Sequence, residues 1–206
     1  MTKRVAIVFR GFPGVGKTAV ARELLNVIPD SILFEIDRYR NTSCTGTSCT
    51  GTSCTQYDNN SFLQDIDKNI KHHNLIICKN HHTLESLEET LDVLKRNNSK
   101  YVVFNFVPEN FEKMDKSEQN KIIDILLDRI ENRTDNSSAL EINAMKSREQ
   151  AKRVIIYGFV KKYKPTQECI QLDFNASIME NVSIIYNNTR EYYLTSKKTS
   201  KKRKII

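Results

Sequence analysis

The sequence predicts an α/β fold, a parallel five-stranded sheet with helices on both faces. Three observations predict it. A β-branched run, Val5 to Phe9, passes through a glycine-rich loop straight into a helix-periodic stretch. Further strand-like runs follow, separated by stretches of helical spacing, which is the pattern of crossover connections between parallel strands. The 206 residues suffice for one such domain with a buried core and are short for two.

Each element has its own signal. "VAIVF" reads as a central strand, and the helix after it runs from Lys17 to about Ile28, where Pro29 stops it. "SILFEID" is a second strand ending at Asp37. Phe62, Ile66 and Ile70 stand at helical spacing in "DNNSFLQDIDKNIKHH", and "NLIIC" is a short buried strand. Thr83 caps a helix whose Leu84, Leu87, Leu91 and Leu94 share one face. Glu85, Glu88 and Glu89 near its start and Lys95 and Arg96 near its end suit the helix dipole. "YVVFNFV" is the fourth strand, helices are expected over about 116–132 and 141–162, "ECIQLDF" is the fifth strand, and 177–193 is a last helix. The expected organisation is one domain over residues 1–194, carrying a low-complexity insertion at 42–55, and a basic tail at 195–206.

Charge and cysteine content narrow the function. Of the net +7, six charges lie in the terminal "KKTSKKRK", so residues 1–196 carry only about +1. A generic basic nucleic-acid coat is excluded, and any polynucleotide must be held by a few placed cations. Cys44, Cys49 and Cys54 recur in the repeat "TSCTGTSCTGTSCT", at a spacing that fits no common zinc pattern; the repeat reads as solvated low complexity. Cys78 and Cys169 read as small core residues. With neither an apolar run long enough to span a membrane nor a signal-peptide pattern, the protein is expected to be intracellular, in cytoplasm or nucleus, with no membrane partner.

The residues just beyond the strands carry the chemistry, because ligands of such sheets bind past the strands' carboxyl ends. Gly11, Gly16, Lys17 and Thr18 satisfy G-x-x-x-x-G-K-[ST] between a strand and a helix. In such a loop Gly14, Val15 and Gly16 turn backbone amides onto phosphates, Lys17 reaches the β- and γ-phosphates, and the Thr18 hydroxyl is placed for Mg²⁺. The chain is thus expected to bind a nucleoside triphosphate with Mg²⁺. After the second strand, Asp37 can accept the proton of an attacking hydroxyl and can share the metal with Thr18, while Arg40 can grip an acceptor phosphate. After the third strand comes "CKNHH", with two of the chain's four histidines. Arg129 and Arg133 end a helix on one face, where a lid arginine would neutralise charge on the transferring group. No D-x-x-G follows the third strand and no N-K-x-D occurs, which argues against a GTPase switch.

Taken in order, "GFPGVGKT", "DRYR", "CKNHH" and "RTDNSS" resemble the polynucleotide kinase domain of fungal-type tRNA ligases, and more distantly the bacteriophage 5′-hydroxyl polynucleotide kinases. The resemblance runs from Lys3 to about Tyr193. It implies a P-loop kinase fold with a helical lid and transfer of a γ-phosphate from GTP or ATP to the 5′-hydroxyl of RNA, as in tRNA splicing or RNA repair. Asp37 would be general base, Arg40, Lys79, Asn80 and His82 acceptor contacts, Lys17 and Arg133 charge stabilisers, and Arg129 a nucleotide contact. A tRNA half is a candidate acceptor and a separate RNA ligase a candidate partner. The chain departs from the family pattern at Cys78, which replaces an Asp, at His81, which replaces an Asn, and at Thr134, Ser137 and Ser138 in the lid. Cys78 predicts a higher Mg²⁺ requirement, with Asp37 and Thr18 orienting the metal. From the residues, a kinase of a small metabolite or nucleoside and a non-catalytic nucleotide- or RNA-binding module remain alternatives.

Overall fold

In the computed structural model, which describes residues 4–39, 58–108, 110–132, 148–155, 159–164, 166 and 168–201, the run Val5–Arg10 forms β1 and is buried along its whole length. After α1 (Lys17–Val27) come β2 (Ser31–Glu35), a 3-10 turn (Ile36–Tyr39), α2 (Asn59–Asn69) and β3 (Asn74–Cys78). Then follow α3 (Leu84–Arg96), β4 (Lys100–Asn105), α4 (Lys116–Glu131), α5 (Arg148–Ile155), β5 (Cys169–Gln171) and α6 (Ile178–Lys201). The five strands are parallel in the order β2-β3-β1-β4-β5. β1 is therefore central, and the loop leaving it opens at the place where the strand order reverses.

Strand periodicity divides the core into two layers. Ile7, Phe9 and Ile76 pack with Val20 and Leu24 of α1 and with Val182 and Ile185 of α6. Ala6, Val8, Leu75 and Ile77 face Phe62 and Ile66 of α2 and Leu87, Leu91 and Leu94 of α3 on the other side. A smaller cluster joins Ile123, Leu127 and Ile130 of α4 to Ala151 and Ile155 of α5. Side-chain caps start the helices where the sequence places them: Thr83 Oγ1 accepts from Ser86 N at 3.1 Å, and Asp58 Oδ1 from Ser61 N at 2.9 Å.

Several boundaries differ from the sequence reading: the fourth strand, expected over "YVVFNFV", is Lys100–Asn105, and the fifth, expected over "ECIQLDF", is Cys169–Gln171. The second strand stops at Glu35, and Asp37 stands on the 3-10 turn, because Ile36 leaves the sheet to bury itself against the α2 layer. Of the helix expected over 141–162, Arg148–Ile155 is helical, while 141–147 and 156–158 lie outside the described residues. The last helix continues to Lys201, since no Gly or Pro follows Tyr193 to stop it. The insertion at 42–55, Arg40 and Arg133 lie outside the described residues. Among the described residues no helix is long and apolar enough to cross a membrane.

Candidate active site

The phosphate loop is shaped by glycine where its path requires it. Gly14 has φ +82°, and a Cβ there would stand 2.7 Å from the Leu126 carbonyl and 3.0 Å from Ile130 Cγ1. Gly16 has φ +94° with nothing near its missing Cβ. Gly14→Ala should therefore lower stability by about 1–3 kcal/mol through strain and clash together. Gly16→Ala, which meets only the φ penalty, should lower it by less; thermal unfolding of the two variants checks the order. At Gly11 the backbone makes a contact outside the loop. Its N–H is spent on the Asn80 carbonyl at 3.0 Å, so its part is to tie the loop to the end of β3.

One cavity gathers most of the sequence-predicted residues. Pro13, Gly14, Gly16, Lys17 and Thr18 line it from the loop, Glu35, Ile36 and Asp37 from the end of β2, and Cys78, Lys79 and Asn80 from the end of β3. Lys17 is nearly buried, its Nζ donating to the carbonyls of Gly11 at 3.0 Å and Phe12 at 2.7 Å. Thr18 Oγ1 lies 3.6 Å from Cys78 Sγ. Burial pushes the Cys78 thiol up to about 11, so it stays protonated at neutral pH. The Asp37 turn is clamped to α2: Tyr39 donates its hydroxyl to Asp65 Oδ2 at 3.0 Å, stacks edge-on against Phe62, and accepts from Asp58 N at 2.7 Å. Burial and the Asp65 bond push the Tyr39 hydroxyl up to about 12, which keeps it a donor.

The β3 signature divides between roles. Lys79 reaches the cavity wall but donates its Nζ to Asn59 Oδ1 at 2.8 Å and lies over the Phe62 ring; burial holds its ammonium below the usual range. His82 is not brought to the cavity. Its ring packs edge-on against Phe159, and burial lowers its basicity. His81 is fully buried in a left-handed conformation (φ +46°), with Nδ1 bonded to the Ser86 carbonyl, and burial holds it neutral.

A second cavity, of about 540 Å³, shares Gly14 and Gly16 with the first, so the loop is the wall between them. Val15, Arg129, Phe174 and Asn181 line it. Arg129 lies over the Phe174 ring at 5.4 Å and donates to the Phe174 carbonyl at 2.9 Å. Asn181 is buried; its amide nitrogen donates to the Asp173 carbonyl, and its Oδ1 has no partner among the described residues.

Four residues escaped the sequence reading. Phe174, between β5 and α6, meets Arg129 of α4, and Asn181 is brought to the loop by the packing of α6 on α1. Arg10, fully buried, donates to the carbonyls of His81 at 2.9 Å and of Lys164, and stacks on Tyr163 at 4.3 Å. It braces the loop after β3 from beneath. Glu35 had a signal, a charge at the end of a largely apolar strand.

A family model described as "tRNA ligase kinase domain" matches residues 10–182. No curated protein matches the chain. Among solved structures, a fungal RNA kinase is similar over 93% of this chain and 87% of its own, at 17% identity and a TM-score of 0.61. The APS kinase CysC of Mycobacterium tuberculosis, in complex with AMPPNP and APS, is similar over 91% of this chain and 98% of its own, at 16% identity and a TM-score of 0.56. A gluconokinase from Sinorhizobium meliloti 1021 covers 95% and 98%, at 9% identity and a TM-score of 0.55. At these identities the structural likenesses show the P-loop kinase fold alone.

Proposed function

The chain belongs to the tRNA ligase kinase domain family, and from that premise we propose that it transfers the γ-phosphate of a purine nucleoside triphosphate to the 5′-hydroxyl end of RNA. It is a polynucleotide kinase. The observation that carries the reaction type is one cavity in which Asp37 stands with Lys17 and Thr18. A carboxylate facing the end of a triphosphate is the group needed to take the proton of an incoming hydroxyl, and Lys17 is the cation that meets charge on the phosphates.

The donor is laid across the loop. Phosphates occupy the cavity of Lys17 and Thr18, and the base enters the cavity of Arg129, Phe174 and Asn181. The Asn181 Oδ1 is an acceptor in want of a donor, which an N–H of guanine or adenine supplies, so GTP and ATP are both admitted by this chemistry. Val15 packs beside this base cavity. Arg40 and Arg133 remain proposed as acceptor contact and lid arginine, and Lys79 and Asn80 as the acceptor-side wall.

Mg²⁺ fits the site on its donor set. Among the described residues no group of three or more His, Cys, Asp or Glu could hold a metal alone. Mg²⁺ takes oxygen ligands and is commonly held by one or two carboxylates together with substrate phosphates. Thr18 and Asp37 would hold it here, and when bound it supplies neutralisation of charge on the phosphates.

Incubation with γ-labelled GTP or ATP, Mg²⁺ and an oligoribonucleotide tests the reading. Label should enter the 5′-hydroxyl strand and not one already 5′-phosphorylated. Transfer to neither, with nucleotide still bound, would leave a binding module. The 5′-phosphate made is what a ligation step consumes, so an RNA ligase is the proposed partner and a tRNA half the proposed natural acceptor.

A further inference from the structure

Glu35 and Cys78 are register partners in adjacent parallel strands, so their side chains leave the sheet on the same face about 5 Å apart. That face is the one covered by α1, because Phe34 and Ile36, the neighbours of Glu35, enter the opposite layer with α2 and α3. Contacts agree: Cys78 Sγ meets Thr18 Oγ1 at 3.6 Å, and Arg22 of α1 comes to 3.9 Å from Glu35 Oε1. Glu35 is only 8% exposed, yet it lines the cavity with Lys17, Thr18 and Asp37. Its Oε2 accepts from both Nε and Nη2 of Arg38 at 2.9 Å.

Burying a carboxylate is costly unless it is paired, and here Arg38 and Arg22 supply the pairing. The site has a use for it. Mg²⁺ dehydrates reluctantly, and the waters it keeps need acceptors. At the end of β3 there is only a neutral thiol, a soft group with little affinity for Mg²⁺ or its waters. Asp37 is already shared between the metal and the acceptor's proton, and the other carboxylate lining the cavity is Glu35.

Resting on the kinase reading above, we propose that Glu35 is the metal-shell carboxylate of this site, accepting from Mg²⁺-bound water in the place that an acid at position 78 would otherwise fill. Glu35 then serves the metal's water shell, beside Thr18 and Asp37, and leaves Asp37 able to take the acceptor's proton. Cys78→Asp alone, which the sequence reading expects to lower the Mg²⁺ requirement, instead sets two carboxylates side by side and brings no gain.

The test reads metal-dependent binding rather than turnover. Methylanthraniloyl-labelled GDP and ADP are titrated onto the full chain in EDTA and across a Mg²⁺ series. Glu35→Gln should leave affinity in EDTA unchanged and raise the Mg²⁺ concentration for half-maximal tightening about 10- to 100-fold. Adding Cys78→Asp to Glu35→Gln should restore the parental midpoint, because the acid has moved one strand across to the same spot. An unchanged midpoint in Glu35→Gln overturns the proposal. Arg22→Gln and Arg38→Gln, at half-exposed to exposed positions, provide a check that does not depend on the folding of the double variant. They should keep the parental midpoint. If they reproduce the Glu35→Gln shift, Glu35 acts only by holding the arginines and the proposal fails. A parent that binds neither nucleotide would remove the phosphate-loop reading itself, a result distinct from a parent that binds with Mg²⁺ and a variant that is unmoved.

Discussion

Asp37→Asn is expected to bind nucleotide as the parent does and to transfer phosphate about 10²- to 10⁴-fold more slowly. The amide has the size of the carboxylate and cannot accept the acceptor's proton. Its scaffold should survive, since the turn is held by neighbours and not by Asp37: Tyr39 bonds Asp65, and the Tyr39 carbonyl takes the Asp58 amide. Tyr39→Phe, which keeps the ring on Phe62 but loses the 3.0 Å bond to Asp65, should slow transfer by a smaller factor, through looser placement of Asp37. Single-turnover transfer to a 5′-hydroxyl oligoribonucleotide at saturating nucleotide separates the two. An Asp37→Asn enzyme at the parental rate would mean that another group, or none, takes the proton.

The phosphate loop was legible in the sequence because its chemistry is contiguous: the glycines, Lys17 and Thr18 lie within eight positions, between a strand and a helix signalled by their own periodicities. The parallel sheet was legible for the same reason, strand by strand. Its order was not. The pairing of Glu35 with Cys78 joins residues from separate segments, and without it Glu35 reads as a charge at a strand end and Cys78 as a lost acid. Asn181 was equally silent, since a buried asparagine in a helix reaches the second cavity, where it is proposed to meet the base, only once α6 lies on α1. His82, carried over from the family resemblance as an acceptor contact, stands after the left-handed turn at His81 with its ring against Phe159, outside the lining of the first cavity.

Lys17→Ala should damage binding and chemistry together, in contrast to Asp37→Asn. In the proposed reaction the ammonium meets the triphosphate before and during transfer, so its loss is expected to weaken ground state and transition state alike. Loss of one preorganised charge of this kind costs about 10²- to 10³-fold in kcat. Stability should also fall. Nζ donates to two loop carbonyls, those of Gly11 and Phe12, and removing a donor from buried acceptors costs about 1–3 kcal/mol. Lys17→Arg discriminates between the charge and its shape: it keeps the positive charge but brings a planar fork in place of a compact ammonium, in a position only 7% exposed. It should regain little of the transfer rate. Nucleotide affinity, single-turnover rate and thermal midpoint, measured on both variants, decide the matter. Parental turnover by Lys17→Ala at saturating nucleotide would break the link between this loop and the phosphates, whatever the affinity became.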